Sequence, residues 1–308
     1  MTSVRKRFRG VVVPMVTPFT ADEALDEPAV ARILDHVIEG GVRAVLLLGT
    51  TGEGTSMDPA ARRRLVEIAV GHLGGRAVTF ANISSDSLAA SIDEARAFHK
   101  IGVDAVVAHL PIYYPLEPAQ MRSWFERLAD NAPAPLFLYN IPMTTGMSIP
   151  VETVVALSGH PNVAGMKDSE YDLDRMGTLL SRLGDRADFA YFVGPSGHAL
   201  PGLVRGAAGF VPGVGNLLPE ICQRLMEGAE RGDRQTALRM QERMKRVGDT
   251  YQANRTVSQA IPLIKAGMSA LGLCGPTVLP PLAGPDDADR EAMVATLNEL
   301  APRAASRA

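Results

Sequence analysis

The chain has 308 residues, 46% of them hydrophobic and 21% charged, with a formal net charge of −3. That is apolar material for a large core, in one large α/β domain or two smaller ones. Charges of both signs are spread along the chain and aromatics make up 5%, which argues against a nucleic-acid partner, while no apolar run approaches the roughly 20 residues of a membrane helix.

From the N-terminus, a basic segment up to Gly10 precedes Val11-Val12-Val13 and Pro14, an apolar run too short for a signal-peptide core. The two cysteines, Cys222 and Cys274, lie far apart and in no metal spacing. They read as reduced thiols of a cytoplasmic protein. Short apolar runs then alternate with helical patterns. The expected strands are Gly10–Val13, Ala44–Leu48, Ala77–Ala81, Ala105–Ala108, Leu136–Tyr139, Val163–Met166, Phe189–Val193 and Gly209–Val211. The expected helices are Pro28–Glu39, Pro59–His72, Ser87–Lys100, Pro118–Asp130, Val151–Leu157, Asp174–Leu183, Gly197–Arg205 and Pro219–Gly228. Asp58 before Pro59 and Asp86 before Ser87 are expected N-caps. The strands are apolar on successive residues, the mark of strands covered on both faces. Eight strand–helix units in about 220 residues predict an α/β fold, a (β/α)8 TIM barrel; a doubly wound open sheet is the competing arrangement. Beyond Gly228 the strands stop. Three helices, Arg234–Tyr251, Val257–Leu271 and Asp287–Leu300, form a C-terminal helical extension, so that 1–228 is the barrel and 229–308 the extension.

Chemistry concentrates where strands end, the catalytic side of such a barrel. Gly49-Thr50-Thr51-Gly52-Glu53-Gly54 follows the second strand. Its glycines fit neither the P-loop nor the dinucleotide fingerprint. Adjacent hydroxyls beside free backbone N–H groups suit a small carboxylate instead; the plain alternative is a glycine turn capped by its own threonines. Lys167 ends the sixth strand. A lysine there is commonly a solvated terminus, but an amine in a dry barrel mouth gives up its proton more readily and can attack a keto carbon. Tyr139 ends the adjacent fifth strand, within reach to shuttle protons, or else packs as an interior phenol. Tyr113 and Tyr114 follow the fourth strand. None of the six histidines sits in a His-x-His or His-Glu-x-x-His pattern, so no metal site is expected.

Together, Val16-Thr17-Pro18-Phe19, Gly49-Thr50-Thr51-Gly52-Glu53, Tyr139-Asn140-Ile141-Pro142 and Gly165-Met166-Lys167-Asp168-Ser169 resemble the motifs of the dihydrodipicolinate synthase / N-acetylneuraminate lyase superfamily, over the whole chain. The resemblance implies a class I aldolase or lyase that joins or splits pyruvate, or another 2-oxo acid, and an aldehyde. No cofactor is then needed beyond the covalent imine on Lys167, and a homotetramer is expected. It implies that Lys167 forms the imine, that Tyr139 transfers protons, and that Thr50 and Thr51, beside Gly49, hold the carboxylate. It further implies that one of Tyr113 and Tyr114, lent across a subunit contact, completes a Thr/Tyr/Tyr relay with Thr50 and Tyr139. Tyr113 is favoured, though the spacing leaves the choice open. Backbone of Gly206–Val211 would line the keto-acid end, with Gly194 and Tyr114 completing the pocket. Family synthases that take aspartate semialdehyde carry an arginine two residues after the proline of Tyr-Asn-x-Pro, where this chain has Thr144. The acidic pair of the sialic acid lyases is missing from Gly194-Pro195-Ser196-Gly197-His198. The expected substrate is therefore a deoxy-sugar acid or related hydroxy-oxo acid, whose neutral aldehyde part Thr144, with Thr145 and Ser196, is expected to hydrogen-bond. A 4-hydroxy-tetrahydrodipicolinate synthase is the second reading, and a non-catalytic oxo-acid-binding protein the third.

Overall fold

The computed structural model describes residues 3–300. A one-turn helix α1 (Val4–Arg7) leads into the first barrel strand, which is split at Val12 into β1 (Gly10–Val11) and β2 (Val13–Pro14). The remaining strands are β3 (Ala44–Leu47), β4 (Val78–Asn82), β5 (Ala105–His109), β6 (Leu136–Asn140), β7 (Val163–Asp168), β8 (Ala190–Val193) and β9 (Gly209–Phe210). All pairings are parallel. One half of the first strand pairs with β9 and the other with β3, which closes the cylinder. A closed barrel with the connecting helices outside is the expected (β/α)8 arrangement.

The helices between the strands are α2 (Glu27–Glu39), α3 (Pro59–Leu73), α4 (Leu88–Ile101), α5 (Pro118–Asn131), α6 (Pro142–Thr145), α7 (Val151–Leu157), α8 (Leu173–Leu183), α9 (Ala199–Val204) and α10 (Pro219–Glu230). The extension adds α11 (Arg234–Gln252), α12 (Val257–Ala270) and α13 (Asp287–Leu300). Asp58 caps α3 by accepting from the amides of Ala60 and Ala61, with Pro59 in the first turn. The cap of α4 differs from the expected one. Ser87 accepts from Ala90 N, while the Asp86 carboxylate accepts from Ile112 N in the next strand-end loop. The short α6 was not foreseen; one turn opened by a proline leaves no periodic pattern to read.

Two apolar layers form. Side chains facing outward pack against the helices, and a separate set fills the barrel lumen. In β6, Leu136 and Leu138 go to the outer layer, Phe137 and Tyr139 to the lumen, the alternation of a strand covered on both faces. Phe8, just after α1, seals the floor. Its ring meets Phe80 and Phe137 at centroid separations of 5.4 and 5.2 Å, in the tilted and edge-on geometries that aromatic quadrupoles favour. The floor is thus dry and closed, and the opposite end is open.

Candidate active site

The site grows from one register shift. The pairing of β6 with β7 slips between Leu136 and Phe137, so that Phe137 faces Gly165 and Tyr139 faces Lys167. A slip of one residue turns every later side chain to the other face of a strand. This irregularity therefore sets Lys167 in the lumen beside Tyr139, and Asp168 outside. Gly165 is required there: a Cβ would lie 2.2 Å from the Ala190 carbonyl oxygen and 2.4 Å from the Phe137 ring.

Lys167 is 8% exposed. Its Nζ stands 4.1 Å from the centroid of the Tyr139 ring, a cation–π separation, and no carboxylate of the described residues forms an ion pair with it. The Tyr139 hydroxyl shares a hydrogen bond of 3.2 Å with Thr50 Oγ1. Amine, phenol and hydroxyl are therefore neighbours at one end of the barrel. Behind Lys167, the buried Asp168 carboxylate accepts from Asn140 Nδ2 at 2.8 Å, Arg175 Nε at 3.1 Å and the Tyr191 hydroxyl at 3.1 Å. These contacts tie the ends of β6, β7 and β8 into one rigid rim. Burial and the adjacent Asp168 charge hold the Tyr191 phenol well above its ordinary value, so it stays a proton donor to that carboxylate.

These groups open into a cavity of about 450 Å3, the size of a small-molecule site. Of the residues singled out in the sequence, Thr50, Thr51, Tyr139, Lys167, Gly194 and Val211 line it. Gly194 must be a glycine, since a Cβ would lie 2.2 Å from Ser169 Oγ. The others fall elsewhere. Gly49 shapes the turn from behind, its carbonyl accepting from Gly52 N. Thr144 lies on the exposed α6 turn, its hydroxyl donating to the Ile141 carbonyl. Of Gly206–Val211 only Val211 reaches the cavity; Gly206, Ala207 and Ala208 precede β9, at the opposite end of the barrel. Tyr113 and Tyr114 are 76% and 70% exposed, stacked edge-on at 4.9 Å over a separate surface groove. In a single chain neither touches Lys167.

The cavity has a wall that sequence reading missed. Lys245, Gly248, Asp249 and Gln252 on α11, with Arg255 and Thr256 after it, line its outer half. Their spacing of three and four residues puts them on one helical face, but a polar stripe of that kind looks like any solvated face. No group of three or more His, Cys, Asp and Glu side chains able to hold a metal occurs among the described residues.

Comparison with known proteins agrees with this architecture. Residues 7–300 match the sequence profile of the dihydrodipicolinate synthetase family. The chain is 34% identical over 294 residues to an uncharacterized DapA-like lyase of Halobacterium salinarum, covering 94% of this chain and 93% of that one. It is 32% identical over 287 residues to 4-hydroxy-tetrahydrodipicolinate synthase 1 of Streptomyces coelicolor, with 93% and 92% covered. Among solved structures, dihydrodipicolinate synthase of Bacteroides thetaiotaomicron superposes with a TM-score of 0.88 at 29% identity, over 94% of this chain and 98% of that one. YagE of Escherichia coli K12, solved in complex with pyruvate, gives 0.90 at 25% identity, over 95% and 98%. A lysine-bearing barrel mouth, a match that runs from residue 7 to residue 300 and relatives above 30% identity converge: the chain belongs to the dihydrodipicolinate synthetase family of carbon–carbon lyases.

Proposed function

We propose that the protein is a class I aldolase that forms an imine between Lys167 and a 2-oxo acid of the pyruvate type. The observation that carries this reading is the chain of contacts from Lys167 Nζ to the Tyr139 ring and from the Tyr139 hydroxyl to Thr50, all within one cavity. The unprotonated amine adds to the keto carbon. The carbinolamine then loses its hydroxyl as water, with Tyr139 supplying the proton. Removal of a proton from the next carbon gives the enamine, whose carbon attacks the aldehyde while the aldehyde oxygen takes up a proton. Water hydrolyses the new imine, releasing product and restoring the amine; cleavage runs the same steps backwards. Thr50 and Thr51 hold the keto acid's carboxylate. No cofactor enters these steps. The pyruvate found with YagE supports the choice of keto acid.

The second substrate is a neutral hydroxy-aldehyde, so the cleaved compound is a deoxy-sugar acid or a close relative. What favours this is the state of the cations on the outer wall. Arg255 lies against Asp289 through both Nε and Nη2, at 3.2 and 2.5 Å, and Lys245 is paired with Asp249. Each already faces a carboxylate of this chain, which a far carboxylate of the substrate would have to displace. Arg205 is exposed, donates to Pro201 O and does not line the cavity. The name carried by the Streptomyces relative sets the rival, with aspartate semialdehyde as the aldehyde. We assign the relay's third hydroxyl to Tyr113, with Tyr114 the alternative, lent by a second copy within a homotetramer in the cytoplasm.

Borohydride trapping with pyruvate tests the imine. An adduct on Lys167 is expected, and its absence would leave a non-catalytic oxo-acid binder. A panel of aldehydes with saturating pyruvate tests the partner. Lacking a charged clamp, aspartate semialdehyde is expected to show kcat/KM roughly 10–150-fold below a glyceraldehyde-type aldehyde. A preference for the semialdehyde would make the enzyme a 4-hydroxy-tetrahydrodipicolinate synthase.

A further inference from the structure

The loop that carries Thr50 and Thr51 is held in a conformation its own residues resist. Leu48 and Glu53, at its two ends, have φ of 60° and 53°, the left-handed region that residues with a Cβ avoid. Between them the chain packs so closely that a Cβ on Gly54 would lie 2.1 Å from the Leu48 carbonyl oxygen. Such a loop keeps its shape only if its surroundings over-determine it. Some anchors come from neighbouring strands: Thr17 Oγ1 donates to Gly52 O at 2.6 Å, and Asn82 Nδ2 to Leu48 O at 3.1 Å. Another comes from the far end of the sequence. The Glu53 side chain is completely buried, with Oε1 2.5 Å from Lys265 Nζ on α12, whose side chain is equally buried. The ammonium lies off the ideal hydrogen-bond direction of that oxygen, so the contact is a charge pair. The other oxygen, Oε2, accepts from Leu279 N at 2.7 Å. Lys265 in turn donates to Thr277 O at 2.6 Å and stands 4.2 Å above the Phe19 ring.

Burying two charges sacrifices hydration that their attraction does not fully return, so such a pair is a poor means of adding stability. An apolar contact would glue α12 to the barrel as well. What the contacts add is a fixed place for the carboxylate: Oε1 lies against the Lys265 ammonium, Oε2 accepts from Leu279 N, and Glu53 sits three residues from Thr50. Glu53 N also donates to Thr50 O at 3.1 Å.

We propose that Glu53 and Lys265 are positioning residues that lock the Thr50–Thr51 loop to the C-terminal helices and so set the geometry in which the 2-oxo acid's carboxylate is held. Neither lines the cavity, so their effect passes through the loop. This inference rests on the imine reading above.

The test measures the pyruvate concentration that half-saturates borohydride trapping, the KM for the aldehyde, and Tm. It uses wild type, Glu53→Gln, Lys265→Met and the double variant Glu53→Gln/Lys265→Met. Each single change leaves one buried charge alone and should lower Tm. The double change removes both charges and should recover much of that loss. If the pair positions the loop, the double variant still needs about tenfold more pyruvate, the scale of one weakened charge-assisted hydrogen bond, while the aldehyde KM moves by less than about threefold. A recovered Tm with wild-type pyruvate saturation overturns the proposal and leaves the pair structural. Should the double variant not fold, Glu53→Asp decides. It keeps the charge and withdraws it by one methylene, so the pyruvate requirement must rise in a folded protein, and an unchanged requirement overturns the proposal. Wild type that fails to trap pyruvate sinks the imine reading itself, a separate result.

Discussion

Two lysines of this protein are buried beside aromatic rings, and the two proposals give them different roles. Lys167 stands 4.1 Å over the Tyr139 ring at the barrel mouth, and Lys265 stands 4.2 Å over the Phe19 ring at the seam between the barrel and α12. Both are shielded from water. Lys265 has a carboxylate 2.5 Å away and a carbonyl to donate to. Burial, the largest cause, holds its pKa below the ordinary 10.5, although the Glu53 charge opposes the shift. Lys167 has the ring, the cavity and, among the described residues, no carboxylate paired with it. Burial and an aromatic neighbour therefore do not by themselves make a reactive amine. What distinguishes the two in the structure is that a carboxylate engages Lys265 while Lys167 opens into a cavity that a substrate can enter.

The sharpest way to break this contrast is to remove each amine. Lys167→Met should abolish the borohydride adduct and turnover while Tm stays close to wild type, because no ion pair is lost. Lys265→Met should lower Tm, leaving the Glu53 carboxylate buried and alone at a cost of about 3–5 kcal/mol, while the adduct still forms at saturating pyruvate. Mass spectrometry and thermal unfolding read both effects. If Lys265→Met abolished trapping in a fully folded protein, the division of roles would be wrong.

A smaller effect concerns the ring under Lys167. Tyr139→Phe keeps the cation–π face and removes the proton carrier. Turnover is expected to fall by about 10²–10⁴-fold with little change in folding. A variant within about threefold of wild type would reduce Tyr139 to packing.

The smallest effect extends the comparison to a third buried base. His109 is the β5 residue in register with Tyr139, with ring centroids 6.2 Å apart. Burial, as the largest cause, lowers its pKa below the ordinary 6.5, although a contact with Leu110 O opposes the shift. His36 is shifted the same way by the same cause. As pH falls below 6.5 the unfolded chain takes up protons that the folded chain refuses. Stability should therefore decline from 6.5 down to the folded-state pKa, and be unaffected by these groups well above 6.5. The slope is at most about 1.4 kcal/mol per pH unit for each histidine. Urea unfolding at pH 7.5 and 5.5 checks this: His109→Asn should show a shallower acid decline than wild type. An equal decline would mean that His109 accepts its proton in the fold as readily as in the unfolded chain.

Much of the architecture could be read from local pattern. Apolar runs and helical periodicity gave the strand–helix alternation and the three terminal helices, because both are decided within a few residues. Asp58 before Pro59 announced a helix start for the same reason. Lys167, Tyr139 and Thr50 were legible because a barrel puts strand ends together whatever the loops do. The Asp86 cap was misplaced because two adjacent residues could both cap, and the partner that claimed Asp86, Ile112 N, belongs to another loop.

What the sequence alone determined is thus a parallel barrel with a lysine, a phenol and a hydroxyl-bearing glycine turn at its open end. Tertiary structure alone decided which other residues face them. It turned Thr144 onto an outer turn and left Tyr113 and Tyr114 on the surface. It folded the polar face of α11 over the cavity and buried Glu53 against Lys265. The physical reason is range. Capping and periodicity act between near neighbours in the chain, whereas a side chain's partner across the fold is fixed only when whole layers pack and a single register, such as that of β6 on β7, settles which way each residue points.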